Sequence, residues 1–250
     1  MHEPDEPGDD LEALADVARR EGLWFHVDGA LGALAALSPR LRPVLRGMER
    51  ADSLAFDLHK WMHIPFEAGC VLVRSEAAHR RAFAYQTEYL AQMTRGLAAR
   101  PSMFSEYGVQ LSRGFRALKV WMSLKAHGAA KYGRLIEQNV EQARALGLRV
   151  DAEPELQRLA PVSLDIVCFR YVGRGAPDEA RLDAWNRELL CRLHESGVAV
   201  PSYTTLGGRY CLRVCFNNHR TRREDIELFV QEVLRLGREI AMASPMASGS

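Results

Sequence analysis

Two stretches decide how this chain is read: GLWFHVDGALGA (Gly22–Ala33) and ADSLAFDLHKWMHIPFEAGCVLVR (Ala51–Arg74). In the first, the apolar run Leu23–Val27 fits a short buried strand and delivers Asp28 to its end, beside the small residues Gly29, Ala30 and Gly32. A flat group can approach a carboxylate presented in that way, although Asp at a strand-to-helix junction also serves as a helix cap. In the second, Ser53–Phe56 and Gly69–Val73 read as two further strands, with Lys60 between them beside His59 and Trp61. A lysine in such surroundings can bond to an aldehyde as a Schiff base, or simply lay its stem along an aromatic face.

Outward from these stretches, Leu11, Leu14, Ala15 and Ala18 recur at helical spacing over Asp10–Glu21, and Gly22 ends that helix. Leu41, Val44 and Leu45 suggest a second helix. Residues 86–112 have weak periodicity and a Gly-Leu-Ala-Ala-Arg-Pro stretch, which predicts a long loop of the kind that carries function. A strong helical pattern returns from Phe115 to Leu146 and is interrupted by Gly128 and Gly133, which predicts two helices. Beyond Gly147 the texture changes. Leu164–Tyr171 reads as a strand, Asp178–Glu195 as a helix, Val198–Val200 and Tyr210–Phe216 as strands, and Arg222–Ile240 as a closing helix. This order predicts an α/β fold, with a larger domain over residues 1–147, a small α/β domain over 148–242 and a disordered tail over 243–250.

Composition narrows the function classes. The 250 residues are 47% hydrophobic and 26% charged, with 33 Lys+Arg against 32 Asp+Glu, so the chain is of the globular kind and can bury a core. A net charge of +1 offers no basic excess for a phosphate backbone, and nucleic acid is not expected as a partner. No apolar run approaches the roughly 18 residues of a membrane span, and MHEPDEPGDD is acidic where a secretory signal is basic and then apolar. A cytoplasmic protein off the membrane is the expectation. The five cysteines are scattered and odd in number, which argues against a disulfide framework. Cys211 and Cys215 on one strand stand about 13 Å apart, too far to share a metal, so no metal site is expected.

A carboxylate at one strand end and a lysine after another are what pyridoxal phosphate chemistry requires: the acid keeps the ring nitrogen protonated and the lysine holds the aldehyde. HVDGA and DSLAFDLHKW, with 32 residues from Asp28 to Lys60, resemble the group II pyridoxal-phosphate-dependent decarboxylases. The likeness continues through SRGFRALKVWMSLKAHG (Ser112–Gly128), similar to the family's Arg-rich helix, and through VCFRYVG and LRVCFNNHRT of its C-terminal domain. It is strongest to the aromatic amino acid branch.

The resemblance implies a fold-type I α/β architecture and pyridoxal 5'-phosphate carried covalently on Lys60. Asp28 would partner the ring nitrogen and Ala30 would pack against the ring. Ser53, Asp57 and His59 fall where the family has residues around the cofactor phosphate. Asp57 stands where aromatic-branch relatives often have Asn, and an anion there repels phosphate unless it is hydrogen-bonded or turned away. Tyr89 matches the tyrosine of the mobile catalytic loop, which returns a proton to the substrate carbon; a Tyr rather than Phe there implies simple decarboxylation. Leu31 replaces an aromatic common in the family. The implied activity is release of carbon dioxide from an L-amino acid, aromatic by branch, in a homodimer. Family chains are much longer, and the likeness places this one on their C-terminal half. That leaves open a fragment, half of a split enzyme or an inactive binding partner, and the same Lys–Asp pair also serves transaminases.

Overall fold

The computed structural model describes residues 9–84, 95–97, 99, 103–175 and 177–243. It divides into two compact units, one formed by Asp10–Leu34 with Leu45–Ala129 and the other by Ala35–Val44 with the chain from Ala130 onward.

The first unit opens with α1 (Leu11–Glu21). The Asp10 carboxylate accepts a hydrogen bond from the Ala13 amide at 3.0 Å, satisfying one of the free N–H groups at the helix start, and Gly22 closes the helix. Strands β1 (His26–Asp28), β2 (Ser53–Asp57) and β3 (Gly69–Val73) form a sheet in the order β1-β2-β3. β1 runs parallel to β2 with Asp28 opposite Ala55, and β3 runs antiparallel to β2 with Gly69 opposite Asp57. The strand expected from Leu23 begins only at His26.

The helix expected around Leu41–Leu45 is absent. Short 3-10 turns at Gly32–Leu37, Arg42–Leu45 and Met48–Arg50 replace it. Pro39, Pro43 and Gly47 explain the difference, because proline has no N–H for an α-helical ladder and glycine adds backbone freedom. Among the described residues this unit also holds α2 (Leu58–Trp61), α3 (Glu76–Phe83), a 3-10 turn at Phe104–Tyr107 and α4 (Arg116–His127).

The second unit holds α5 (Ala129–Asp151), β4 (Leu156–Arg158), β5 (Ile166–Tyr171), α6 (Glu179–Ser196), β6 (Ser202–Leu206), β7 (Arg209–Cys215) and α7 (Arg223–Ala243). The helical pattern of Phe115–Leu146 does break into two helices, at Gly128 alone; Gly133 remains helical. α5 continues through residue 148, where the texture of the sequence changes, and its Glu137 and Glu141 bind Ser38 and Arg40 of the 35–44 segment. The strands form an antiparallel sheet in the order β4-β5-β7-β6. One sheet face presents Val167, Phe169, Tyr171 and Leu212 to Leu189 and Leu193 of α6 and Val230 and Val233 of α7, which gives a closed apolar core.

The strand expected at Val198–Val200 lies instead at Ser202–Leu206. Gly207 and Gly208, both at positive φ, make a two-residue hairpin turn, and that turn fixes which residues face β7. Among the described residues no helix is long and apolar enough to cross a membrane.

Candidate active site

The two motifs meet at the carboxyl ends of β1 and β2, the end of parallel strands at which α/β sheets accommodate ligands. Asp28 is the last residue of β1 and its side chain is exposed. One carboxylate oxygen, Oδ1, accepts a hydrogen bond from the Ala30 amide at 3.1 Å. This fixes the carboxylate within its own turn and leaves Oδ2 for another donor. The turn is tight because residue 29 is glycine: a Cβ there would lie 2.4 Å from the Ala33 Cβ and 3.2 Å from Leu54 Cδ1. The Ala30 carbonyl then accepts the amide of Asp57 at 3.0 Å, so the backbone of the first motif is bonded to the end of β2.

Asp57 ends β2 and opens the single turn α2, which carries His59 and Lys60. Trp61, Met62 and Ile64 anchor this turn, each at most 3% exposed, while the Lys60 side chain is 39% exposed at the strand end. The Lys60 Nζ lies 2.8 Å from Asp57 Oδ2, and the same oxygen is 4.0 Å from His59 Nε2. The Ala68 amide donates to His59 Nδ1 at 3.1 Å. An acceptor Nδ1 assigns the proton of a neutral His59 to Nε2, on the side of Asp57. Phe66 meets the His59 ring edge-on at 4.9 Å between centroids.

Ser53 sits elsewhere. It begins β2 where Asp57 ends it, opposite His26, about 13 Å along the strand from the Lys60 turn. Its Oγ accepts from Trp24 Nε1 at 2.8 Å and lies 2.7 Å from His26 Nδ1. The structure thus brings Asp28, Ala30, Asp57, His59 and Lys60 together and does not bring Ser53 to them. Tyr89 lies outside the described residues, as does much of the loop expected over 86–112.

Two side chains of α4 were not singled out from sequence. Arg116 binds Glu67 through Nε, at 2.7 Å from Oε1, and through Nη2, while Lys119 Nζ reaches the Pro65 carbonyl at 2.7 Å. Their spacing of three places both on one helix face, so α4 holds the segment that follows the lysine turn. The Arg116 guanidinium keeps the Glu67 carboxyl below the usual carboxylate range. Burial pushes the Cys70 thiol up, which keeps this neighbour of Phe56 protonated rather than nucleophilic.

The cluster suits two of the three functional ends of pyridoxal phosphate. Lys60 offers an accessible amine for the aldehyde, and Asp28 offers a fixed carboxylate with a free oxygen for a protonated ring nitrogen. The phosphate is served less well. Asp57 is an anion bonded to Lys60, the Ser53 hydroxyl is engaged at the far end of the strand, and His59 Nδ1 already accepts from Ala68.

The model of the pyridoxal-dependent decarboxylase conserved domain matches residues 8–172. Over 237 residues the chain is 32% identical to the aromatic-L-amino-acid decarboxylase of Bacillus atrophaeus, spanning 95% of this chain and 49% of that protein. It is 34% identical over 210 residues to tryptophan decarboxylase 1 of Oryza sativa subsp. japonica, spanning 82% of this chain and 40% of that one. The crystal structure of Oryza sativa TDC with PLP and tryptamine superposes with a TM-score of 0.82 at 29% identity, over 92% of this chain and 47% of that chain. The likeness shows the α/β architecture of these decarboxylases. The chain spans about half the length of the curated relatives it matches.

Proposed function

The chain belongs to the pyridoxal-dependent decarboxylase family, and from that premise we propose that it carries the lysine-bearing part of an amino acid decarboxylase site. The observation that carries this reading is the hydrogen-bonded path from Asp28 through Ala30 to Asp57 and Lys60. When bound, pyridoxal phosphate supplies an electron sink for the electrons left as a substrate carboxylate departs as carbon dioxide. Lys60 would hold the aldehyde end through its amine, which lies at the end of β2. Asp28, fixed by the Ala30 amide, would hold the proton on the ring nitrogen, and Ala30 would pack against the ring. His59 and Asp57 border the lysine. Tyr89, outside the described residues, would return a proton to the substrate α-carbon.

The substrate in this reading is an aromatic L-amino acid, supported by relatives named for tryptophan and aromatic-L-amino-acid decarboxylation. The protein acts in the cytoplasm as a homodimer, and residues 1–147 and 148–242 behave as its large and small domains. A monomeric mass in light scattering at micromolar concentration counts against the dimer.

A second reading has a specific observation in its favour. Val71 and Leu72 of β3 are 51% and 55% exposed, and among the described residues β3 ends its sheet. Such a surface suits a further polypeptide that completes the site, as in a split enzyme.

The test is an absorbance spectrum of the purified chain with added pyridoxal phosphate, followed by borohydride reduction and peptide mapping. A band at about 420 nm and a pyridoxyl group on Lys60 are expected. Label spread over surface lysines overturns the assignment for this chain alone. Carbon dioxide release, set against 2-oxo acid formation, separates decarboxylation from transamination.

A further inference from the structure

Asp57 occupies the position before a helical turn, where an aspartate ordinarily caps the helix by accepting a backbone amide. Here its side chain makes no capping hydrogen bond. The carboxylate turns to Lys60, with Oδ2 at 2.8 Å from Nζ, and the same oxygen lies 4.0 Å from His59 Nε2. Two contacts fix the backbone that carries it: its amide is bonded to the Ala30 carbonyl and its residue is paired with Gly69, whose lack of a Cβ leaves room beside Oδ1, since a Cβ there would lie 3.3 Å away. The ion pair is therefore built into the end of β2. It is more than a contact between two flexible surface chains, since Asp57 is 27% exposed and Lys60 39%.

Resting on the decarboxylase reading, we propose that Asp57 is a positioning residue that latches the Lys60 amine and, as a fixed anion beside it, sets how tightly this chain takes a phosphate-bearing aldehyde. A carboxylate at 2.8 Å draws the hydrogens of the amine toward itself and away from an incoming carbonyl, so the pair must open before Lys60 reacts. The second consequence follows from the cofactor's own chemistry. Its aldehyde and its phosphate arm are on neighbouring ring carbons, so an aldehyde joined to Lys60 would carry the phosphate within reach of the Asp57 charge. Like charges so placed repel, and the ion pair with Lys60, at 2.8 Å, keeps the Asp57 carboxylate beside the amine in the resting chain. Pyridoxal, which has the same aldehyde and ring without the phosphate, does not meet that repulsion.

The test compares the full chain with Asp57→Asn, and with Asp57→Ser as a second variant, after circular dichroism has shown which of them folds. The first readout needs no cofactor: the rate at which acetic anhydride labels Lys60, followed by mass spectrometry against the other lysines as internal controls. Removal of the carboxylate is expected to raise Lys60 labelling several-fold while the other lysines stay constant; an unchanged rate overturns the latch. The second readout is the affinity for pyridoxal phosphate and for pyridoxal, by absorbance titration. The variants are expected to gain about tenfold for pyridoxal phosphate relative to pyridoxal. Equal shifts for both aldehydes overturn the effect on phosphate. Faster Lys60 labelling with no aldehyde bound by any of the proteins leaves the latch standing and removes the decarboxylase reading of this chain.

Discussion

The main-chain carbonyl of Ala30 accepts the amide of Asp57 at 3.0 Å. One backbone hydrogen bond thus ties together two motifs that are 27 residues apart from Ala30 to Asp57, one ending in the Asp28 carboxylate and the other in the Lys60 amine. The strand register alone, with Asp28 opposite Ala55, would leave the two turns free to diverge beyond the sheet. The Ala30–Asp57 bond fixes their separation.

Gly29→Ala is expected to disturb this link. The added methyl would lie 2.4 Å from the Ala33 Cβ, so either the turn or the segment behind it must shift. Overpacking of this kind costs about 1–3 kcal/mol, and the shift displaces the Ala30 amide from Asp28. Urea denaturation should show the loss of stability, and the pyridoxyl label on Lys60 should fall with it. A variant as stable as the parent would mean that the turn relaxes at no cost.

Ser53→Ala separates two roles for a residue that the family pattern puts near the phosphate. Its hydroxyl is bonded to Trp24 and His26 at the opposite end of β2 from Lys60. Loss of that acceptor removes the bond from the indole N–H of Trp24, a residue 53% exposed whose donor can turn to water, and should cost about 0.5–1 kcal/mol. The affinity for pyridoxal phosphate should stay within a factor of about two. A larger loss of affinity in a fully folded variant would put Ser53 back at the cofactor.

The contrast between Ser53 and Lys60 marks what was legible in the sequence. Asp28 and Lys60 could be read because each follows a strand marked by a local apolar run, and only the strand's end mattered. Ser53 bonds to residues 27 and 29 positions away, and that partnership depends on the parallel register of β1 and β2, which local pattern does not encode. α3 is not legible in the sequence because it is only eight residues long, Glu76–Phe83, too short for a helical period to repeat clearly. Nor is β4, which is three residues long, Leu156–Arg158, with a single buried side chain. The strand expected at Val198–Val200 shows apolar content outweighed by turn chemistry, since the Gly207–Gly208 hairpin selects Ser202–Leu206.

β3 offers a prediction about association. Val71 and Leu72 face opposite sides of the strand, and both are more than half exposed on an edge. An apolar edge strand of this kind invites pairing with another chain, and a lysine there opposes it. Leu72→Lys is expected to lower the sedimentation-average mass of the purified chain at a given concentration while leaving its circular dichroism unchanged. No change in mass would show that association, where it occurs, uses another surface.

In the second unit, the carboxyl group of Asp165, just before β5, makes stability depend on pH. Asp165 is 1% exposed, and burial, the dominant cause, raises its pKa to about 6 from an ordinary value of 3.8. The Cys215 thiol donates to its Oδ2 at 3.1 Å and opposes the rise only in part. Between these two pKa values the folded chain keeps the proton that the unfolded chain has lost, so stability falls as pH rises through this window and levels off above it. A shift of this size corresponds to roughly 3 kcal/mol between the two ends of the window. Asp165→Asn keeps an acceptor for Cys215 and removes the buried charge. It should therefore raise Tm at pH 8, leave it almost unchanged at pH 4, and flatten the Tm–pH profile in between. A uniform drop in Tm at both pH values would instead mean that the carboxylate is stabilised by its surroundings and that its removal breaks a needed interaction.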